Sequence, residues 1–144
     1  MKFEVLQGVP HVEKVWRDLM DGLEKNSLTR PERGFAKKLA KAIDHLGQNP
    51  FHPGLQSHEI TDLTDRYGMK VFESYLENDT PAAGRIFWVY GPGRAQITVI
   101  GIEPHPEDKR GAYGRVQLSA LPARKQEAQS SRSAPRQSSD KRKR

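Results

Sequence analysis

Residues 85–103 read RIFWVYGPGRAQITVIGIE, and this stretch decides the fold class of the chain. The segments RIFWVYG and QITVIGIE are rich in β-branched and aromatic residues, which favours β-strands. The glycines and the proline of YGPGRAQ between them are typical of a hairpin turn. The sequence therefore predicts an antiparallel strand pair in which Arg85, at the start of the first strand, lies beside the end of the second.

The N-terminal part of the chain has a different hydrophobic period. After a short predicted strand in MKFEVLQ, apolar residues recur every three or four positions over residues 12–23 and again over residues 35–46. This spacing indicates two amphipathic helices. Thr29 is a suitable N-cap for the second helix, and Gly47 is a stop signal at its end. Two helices with a short link predict a helical hairpin.

Three further segments are predicted to be strands, although their strand patterns are weaker: QSHEITDL (56–63), MKVFESYLE (69–77) and YGRVQLSAL (113–121). The predicted fold class is α+β, with a two-helix hairpin packed on one face of a small antiparallel β-sheet. The other face of the sheet is expected to be available for a functional site. Residues 1–122 form the one predicted domain.

The C-terminal residues 123–144 are expected to form a disordered basic tail. They lack any large apolar residue and are rich in Ser, Gln, Lys and Arg, so they bury too little surface to offset their chain entropy. The chain has a net charge of +6, and the tail contains eight basic and two acidic residues, so residues 1–123 have a net charge of zero. The tail is either a solubilising extension or an arm for nucleic-acid phosphates.

Composition excludes several kinds of protein. There is no cysteine, which rules out disulfides and thiolate metal sites and fits a reducing, cytoplasmic compartment. No apolar run approaches the roughly 20 residues that a bilayer requires, so no membrane partner is expected. The sequence has neither a Gly-x-Ser-x-Gly motif nor a glycine-rich phosphate loop, which argues against a serine nucleophile and a P-loop.

The stretch PFHPGLQSHEI (50–60) raises the question of a metal site. His52, His58 and Glu59 carry suitable ligand atoms, but their spacing matches no zinc pattern. Pro53 disfavours helical geometry at the residue before it, and Gly54 permits a sharp turn. The favoured interpretation is therefore a bend between the helical hairpin and the sheet, with no metal.

A polar cluster is expected where the central strands meet. Arg85 and His105 should converge at one edge of the sheet, while Lys70 should lie nearer its opposite end. A guanidinium stabilises negative charge on a phosphate and an imidazole moves a proton near neutral pH, so the pair suits phosphate chemistry. In the alternative interpretation, which the residues alone favour, Arg85 forms a surface ion pair with Glu73 or Glu77 across the ladder and His105 merely ends a strand.

Three motifs, NPFHPGLQSHEI, GRIFWVYG and ITVIGIEPHP, follow the two predicted helices in this order. In order and spacing, residues 1–122 resemble the RelE/ParE superfamily of toxins from type II toxin–antitoxin systems. The resemblance implies a small toxin that a cognate antitoxin holds inactive. RelE-like members cut mRNA on the ribosome without a metal or cofactor, by attack of the ribose 2′-OH on the adjacent phosphate.

The resemblance also implies roles for individual residues. By motif position, Arg85 would stabilise the phosphate and His105 would act as general acid or base. Lys70 matches only by its place on a middle strand, and His58 and Glu59 lie where relatives have a polar or acidic residue. The residues expected to contact nucleic acid are Arg66, Lys109, Arg110 and Tyr113.

One departure from the family leaves the activity open. Several RelE-like nucleases have a dense Lys/Arg patch on the middle strands, whereas residues 57–78 of this chain contain only Arg66 and Lys70 among more numerous acidic residues. ParE-like members share the fold, lack the nuclease residues and inhibit DNA gyrase. The expected partners are therefore the ribosome and mRNA, or DNA gyrase, and a non-catalytic binding relative is the third alternative.

Overall fold

The computed structural model describes residues 2–77, 84–104, 113 and 116–122. The predicted tail, residues 123–144, lies outside these described residues. Within them the chain is a mixed α and β protein with three α-helices and one five-stranded sheet. The elements are β1 (Glu4–Gln7), α1 (His11–Lys25), α2 (Arg30–Gln48), a 3-10 turn (Pro53–Leu55), β2 (His58–Glu59), α3 (Thr61–Tyr67), β3 (Phe72–Tyr75), β4 (Arg85–Tyr90) and β5 (Gln96–Glu103).

The sheet is mixed, which corrects the prediction of a purely antiparallel one. Its strand order is β1-β5-β4-β3-β2. Neighbours from β5 to β2 are antiparallel, but β1 runs parallel to β5 at one edge. The helical hairpin carries the chain from β1 at one edge to β2 at the other, which leaves room for β3, β4 and β5 to form between them. Because this pairing joins distant segments, local sequence patterns do not encode its direction.

The predicted helical hairpin is confirmed, and local signals explain its boundaries. The hydroxyl of Thr29 accepts a hydrogen bond from the Glu32 backbone N–H, and the Glu32 carboxylate accepts one from the Thr29 N–H, which completes a capping box at the start of α2. At the end of α1, Asn26 adopts a left-handed conformation (φ 55°) and its N–H bonds back to the last turn of the helix.

Side chains alternate between two hydrophobic cores along β4. Ile86 and Trp88 face the helical hairpin, where they pack with Leu39 and Leu46 of α2. Arg85, Phe87 and Val89 lie on the opposite face, where Phe87 and Val89 join a second core with Ile60, Leu63, Val71, Ile100 and Val116. The register between β4 and β5 shifts at residues 87 and 88, which marks a β-bulge. As a result, Val99 before the bulge and Ile102 after it both belong to the core beneath the helical hairpin, although strict alternation would place them on opposite faces.

The predicted strand at residues 56–63 is mostly wrong. Only His58 and Glu59 pair with β3, and the chain turns into α3 at Thr61. Leu63 is buried in the second core, and Tyr67, one helical turn later, packs against that core. Burial of this i, i+4 pair on one helix face stabilises a helix over the weak strand pattern.

The second sheet face is covered, although the sequence analysis expected it to be available. Residue 113 and residues 116–122, here called the C-terminal segment, lie across it together with α3. Ser119 anchors this segment, since its N–H donates to the Ile100 carbonyl and its hydroxyl accepts from the Val12 N–H. The described part of YGRVQLSAL contains a single β-bridge, Val9 with Ala120, in place of the predicted strand. None of the described helices combines the length and apolar character needed to cross a membrane.

Candidate functional site

The centre of the candidate site is the guanidinium of Arg85, which is ion-paired with carboxylates from both neighbouring strands. Its Nη1 lies 2.9 Å from Glu73 Oε2, and its Nη2 and Nε lie 2.7 and 2.8 Å from Glu103 Oε1. Strand register explains the meeting, because Arg85 pairs with Glu103 on β5 and with Tyr75 on β3, and Glu73 lies two residues from Tyr75 on the same face. The expected position of Arg85 at this strand junction is confirmed.

His58 connects this ion pair to the surface. Its Nε2 lies 2.8 Å from the second oxygen of Glu73, and its Nδ1 lies 2.8 Å from the Gln56 carbonyl oxygen. Both oxygens are acceptors, so a ring that donates from both nitrogens, the imidazolium, satisfies the two contacts together. The Glu73 side chain is only 1% exposed, whereas that of His58 is 44% exposed. His58 is therefore the accessible end of a path that leads to a buried carboxylate.

Two aromatic rings enclose the guanidinium. Its central carbon lies 5.0 Å from the centre of the Tyr113 ring and 5.5 Å from that of Phe87. These distances permit cation–π attraction, which strengthens where water is excluded. The described residues His58, Glu73, Arg85, Glu103 and Tyr113 are here called the Arg85 cluster.

The electrostatics of the cluster favour a charged Arg85 and an uncharged Tyr113. Burial by itself lowers the pKa of Arg85, but the hydrogen bond that Arg85 donates to Glu103 and the negative charges of Glu73 and Glu103 outweigh burial, so the pKa is raised. The pKa of Tyr113 is also raised, first by burial of its phenol and then by the charge of Glu73. Tyr113 is therefore a neutral hydroxyl at physiological pH.

The Arg85 cluster has no excess of positive charge. One guanidinium faces two carboxylates, so its net charge is −1 with a neutral His58 and zero with the imidazolium. An incoming phosphate would meet two carboxylates beside the guanidinium and would have to displace at least one of them. The arrangement contains a base, an acid and a cation, but it binds an anion only after it rearranges.

Three of the other predicted site residues, Lys70, Glu59 and Arg66, are placed or bonded outside the Arg85 ion pairs. Lys70 is exposed and lies two residues before β3, near the opposite end of the sheet, as expected. Glu59 accepts a hydrogen bond from the Thr64 hydroxyl at 2.8 Å, so it supports the start of α3. The Arg66 guanidinium donates to the backbone carbonyls of Tyr113 and Val116, so it holds the C-terminal segment.

Three predicted residues, His105, Lys109 and Arg110, lie outside the described residues. The expected meeting of Arg85 with His105 therefore stays a prediction. Tyr113 is in contact with Arg85 within the protein, and its expected contact with nucleic acid stays a prediction.

Sequence reasoning included Glu73 only as an ion-pair alternative for Arg85 and did not include Glu103 in the site. The alternative with Glu73 is the one that the structure shows, but the pair is buried where a surface pair was expected. Glu103 could have been found from its position as the last residue of the QITVIGIE strand, directly opposite Arg85 in an antiparallel hairpin.

The interpretation of PFHPGLQSHEI as a bend is confirmed. His52 precedes a single 3-10 turn, and its Nδ1 accepts a hydrogen bond from the Gly54 N–H at 2.9 Å. Its ring stacks on His45 of α2 with 4.1 Å between the ring centres. His52 thus faces the helices while His58 joins the Arg85 cluster, and in the described part of the chain no group of three His, Asp or Glu side chains is arranged to hold a metal ion.

Comparison of the chain with protein-family models, curated proteins and solved structures finds no match.

Proposed function

We propose that this protein is the toxin of a type II toxin–antitoxin system, of the RelE/ParE type, and that it cuts mRNA on the ribosome. The observation that carries the proposal is the Arg85 cluster, in which a guanidinium, a carboxylate, an imidazole and a phenol converge at one end of the sheet. These are the side chains that metal-independent cleavage of a phosphodiester needs. The sequence resemblance supplies the substrate.

In the proposed reaction the ribose 2′-oxygen attacks the adjacent phosphorus and the 5′-oxygen of the next nucleotide leaves. A base takes the 2′ proton and an acid returns one to the 5′-oxygen, so the proton balance closes without an added group. His58 is the exposed member of the His58–Glu73 pair, and it exchanges its Nδ1 proton with the substrate once that nitrogen leaves the Gln56 carbonyl. Glu73 meanwhile orients the ring through Nε2 and balances its charge. Arg85 stabilises the phosphorane after one of its carboxylates gives way to the phosphate.

A second candidate function is a role without catalysis, as an inhibitor of DNA gyrase or as a binding module. The specific observation in its favour is that the Arg85 N–H groups already bind two carboxylates. A guanidinium in this state contributes to stability and not to phosphate binding. The two candidates differ in what His58 does, so His58 is the residue to change.

The test is induced expression in bacteria, followed by mapping of mRNA 5′ ends and measurement of translation. If the protein is a ribosome-dependent nuclease, new mRNA 5′ ends appear and translation halts. A gyrase inhibitor predicts DNA damage with translation initially intact, and a binding module predicts neither effect.

His58→Ala is the informative variant, because His58 is exposed and Glu73 keeps Arg85 as its partner in the variant. We expect cleavage to fall by about a hundredfold or more, the usual contribution of a general acid or base. His11→Ala, at the start of α1, is the matched control and should cleave like the unmodified protein. Equal cleavage by both variants would remove His58 from the mechanism.

A further inference from the structure

A cavity of about 270 Å³ lies on the helix side of the sheet, between α2, the 3-10 turn and the end of β3. Its apolar floor includes Leu55 and Leu76, which belong to the core beneath the helical hairpin. The Arg85 cluster is on the opposite face of the sheet, so this cavity is separate from it. Concave sites with an apolar floor and a few polar groups are where small ligands bind.

The polar groups of the cavity are mainly basic. Lys38 and Lys41 lie one turn apart on α2, and His45 follows Lys41 by four residues, so all three are on neighbouring positions of one helix face. The only acidic residue in the described lining is Glu77, which lies 3.4 Å from the Lys38 ammonium. At that distance, with both side chains more than 40% exposed, the pair is weak and leaves the lining with a net charge of +1.

The histidine pair adds a donor with a defined tautomer. His52 Nδ1 accepts a hydrogen bond from the Gly54 N–H, so in the neutral ring the proton is on Nε2. Stacking on His45 holds the plane of this ring against the helix. The cavity therefore combines two ammonium groups with imidazole N–H donors, and this set matches an anion with several acceptor oxygens.

The charge on α2 supports the same conclusion. Although residues 1–123 are neutral overall, this helix contains five Lys and Arg residues and only two acidic ones. The positive potential that the sheet lacks is therefore concentrated on the helix that forms one wall of the cavity. From these observations we infer a phosphate-binding site at the cavity formed by Lys38, Lys41, His45 and His52, which is independent of the proposed nuclease activity.

The test is an NMR titration of the purified protein with inorganic phosphate at fixed pH and ionic strength. We expect saturable shifts of the His45 and His52 ring signals, with the His58 signal unchanged. Lys41→Ala should weaken binding about tenfold, the effect of one lost charge-assisted hydrogen bond. Lys37→Ala removes a charge from the same helix outside the cavity lining, and should change the affinity less than about twofold.

Glu77→Gln provides a test with the opposite sign, because it removes the acidic group that competes for Lys38. We expect it to strengthen phosphate binding by about threefold. The inference is overturned if the histidine signals do not saturate, if Lys41→Ala and Lys37→Ala behave alike, or if the shifts occur at His58.

The phosphate could belong to a nucleic-acid backbone or to a free phosphorylated compound, and a ten-nucleotide oligouridylate distinguishes these sources. If the source is RNA, the oligonucleotide shifts the same histidine signals at lower concentration than inorganic phosphate does. Lys41→Ala should then reduce the salt dependence of its binding by about 0.7 in a log–log plot, the value for one lost phosphate contact on a single strand. If only inorganic phosphate shifts these signals, the ligand is a small phosphorylated compound.

Discussion

Replacement of Arg85 by Met measures how much the buried ion-pair network contributes to stability. The change keeps an unbranched side chain but takes away Arg85, the permanently charged partner of Glu73, which is 1% exposed. Removing one partner of a buried ion pair typically costs about 3–5 kcal/mol, because the remaining charge is then uncompensated. We expect the lower end, about 3 kcal/mol, since the Glu103 side chain is 26% exposed and regains water.

The assay is urea unfolding, followed by the fluorescence of Trp16 and of Trp88, which is fully buried beneath the hairpin. The midpoint should fall while the dependence of the unfolding free energy on urea stays constant, as for a pure loss of stability. Lys14→Met is the control, because it removes an exposed ion pair of similar length, 2.7 Å to Asp18. This control should leave the midpoint nearly unchanged.

A double-mutant cycle then locates the cause. If the cost comes from the Glu73 charge that Arg85 no longer balances, Glu73→Gln in the Arg85→Met background should restore about 1–2 kcal/mol. In the unmodified background the same Glu73→Gln change should destabilise the protein, because it removes a partner from Arg85. A loss below about 1 kcal/mol for Arg85→Met, or no recovery in the double variant, would refute an electrostatic role for the network.

Three further predictions concern local features. Thr29→Ala removes the capping box of α2 and should lower the unfolding free energy by about 1 kcal/mol in the urea assay, whereas Thr29→Ser should retain most of it. Burial raises the pKa of Tyr67, Tyr90 and Tyr113 above 10.0. Because the folded protein keeps these protons longer than the unfolded chain does, the contribution of these tyrosines to stability should be constant below about pH 10 and fall above it, and a stability that rises from pH 9 to pH 11 would contradict the assigned burial. Arg66→Ala should accelerate amide hydrogen exchange in the C-terminal segment relative to α2, and unchanged exchange would show that Arg66 does not hold this segment.

One face of the sheet was expected to be open, but in the structure it is covered. This difference shows what local sequence patterns do not predict. The residues that cover this face come from α3 and the C-terminal segment, which are distant in the chain. YGRVQLSAL alternates like a strand, yet its anchors are the Tyr67 hydroxyl on the Ser119 carbonyl and the bridge to Val9. No local period encodes contacts with segments about 50 and 110 residues away.

The candidate site was predictable in part for a similar reason. Arg85 could be placed at the strand junction because a tight hairpin sets the register of its two strands. The identity of its ion-pair partners depends on which side chains of the three strands point to the same face of the sheet. Only the register between β3 and β4 decides that Glu73, and not Glu77, is the partner on β3. Tyr113, which was expected from the sequence to contact nucleic acid, lies over the guanidinium of the resulting ion pair.

The sequence alone determined the helical hairpin, the β4–β5 pair and the bend at His52, because helix caps, strand alternation and turn residues act between neighbours in the chain. Tertiary structure decided the parallel direction of β1, the helix in place of a strand at Thr61, and the neutralisation of Arg85 by two carboxylates. These features depend on which segments, distant in the sequence, pack against each other and exclude water. The hydrophobic period of each segment does not specify its packing partner.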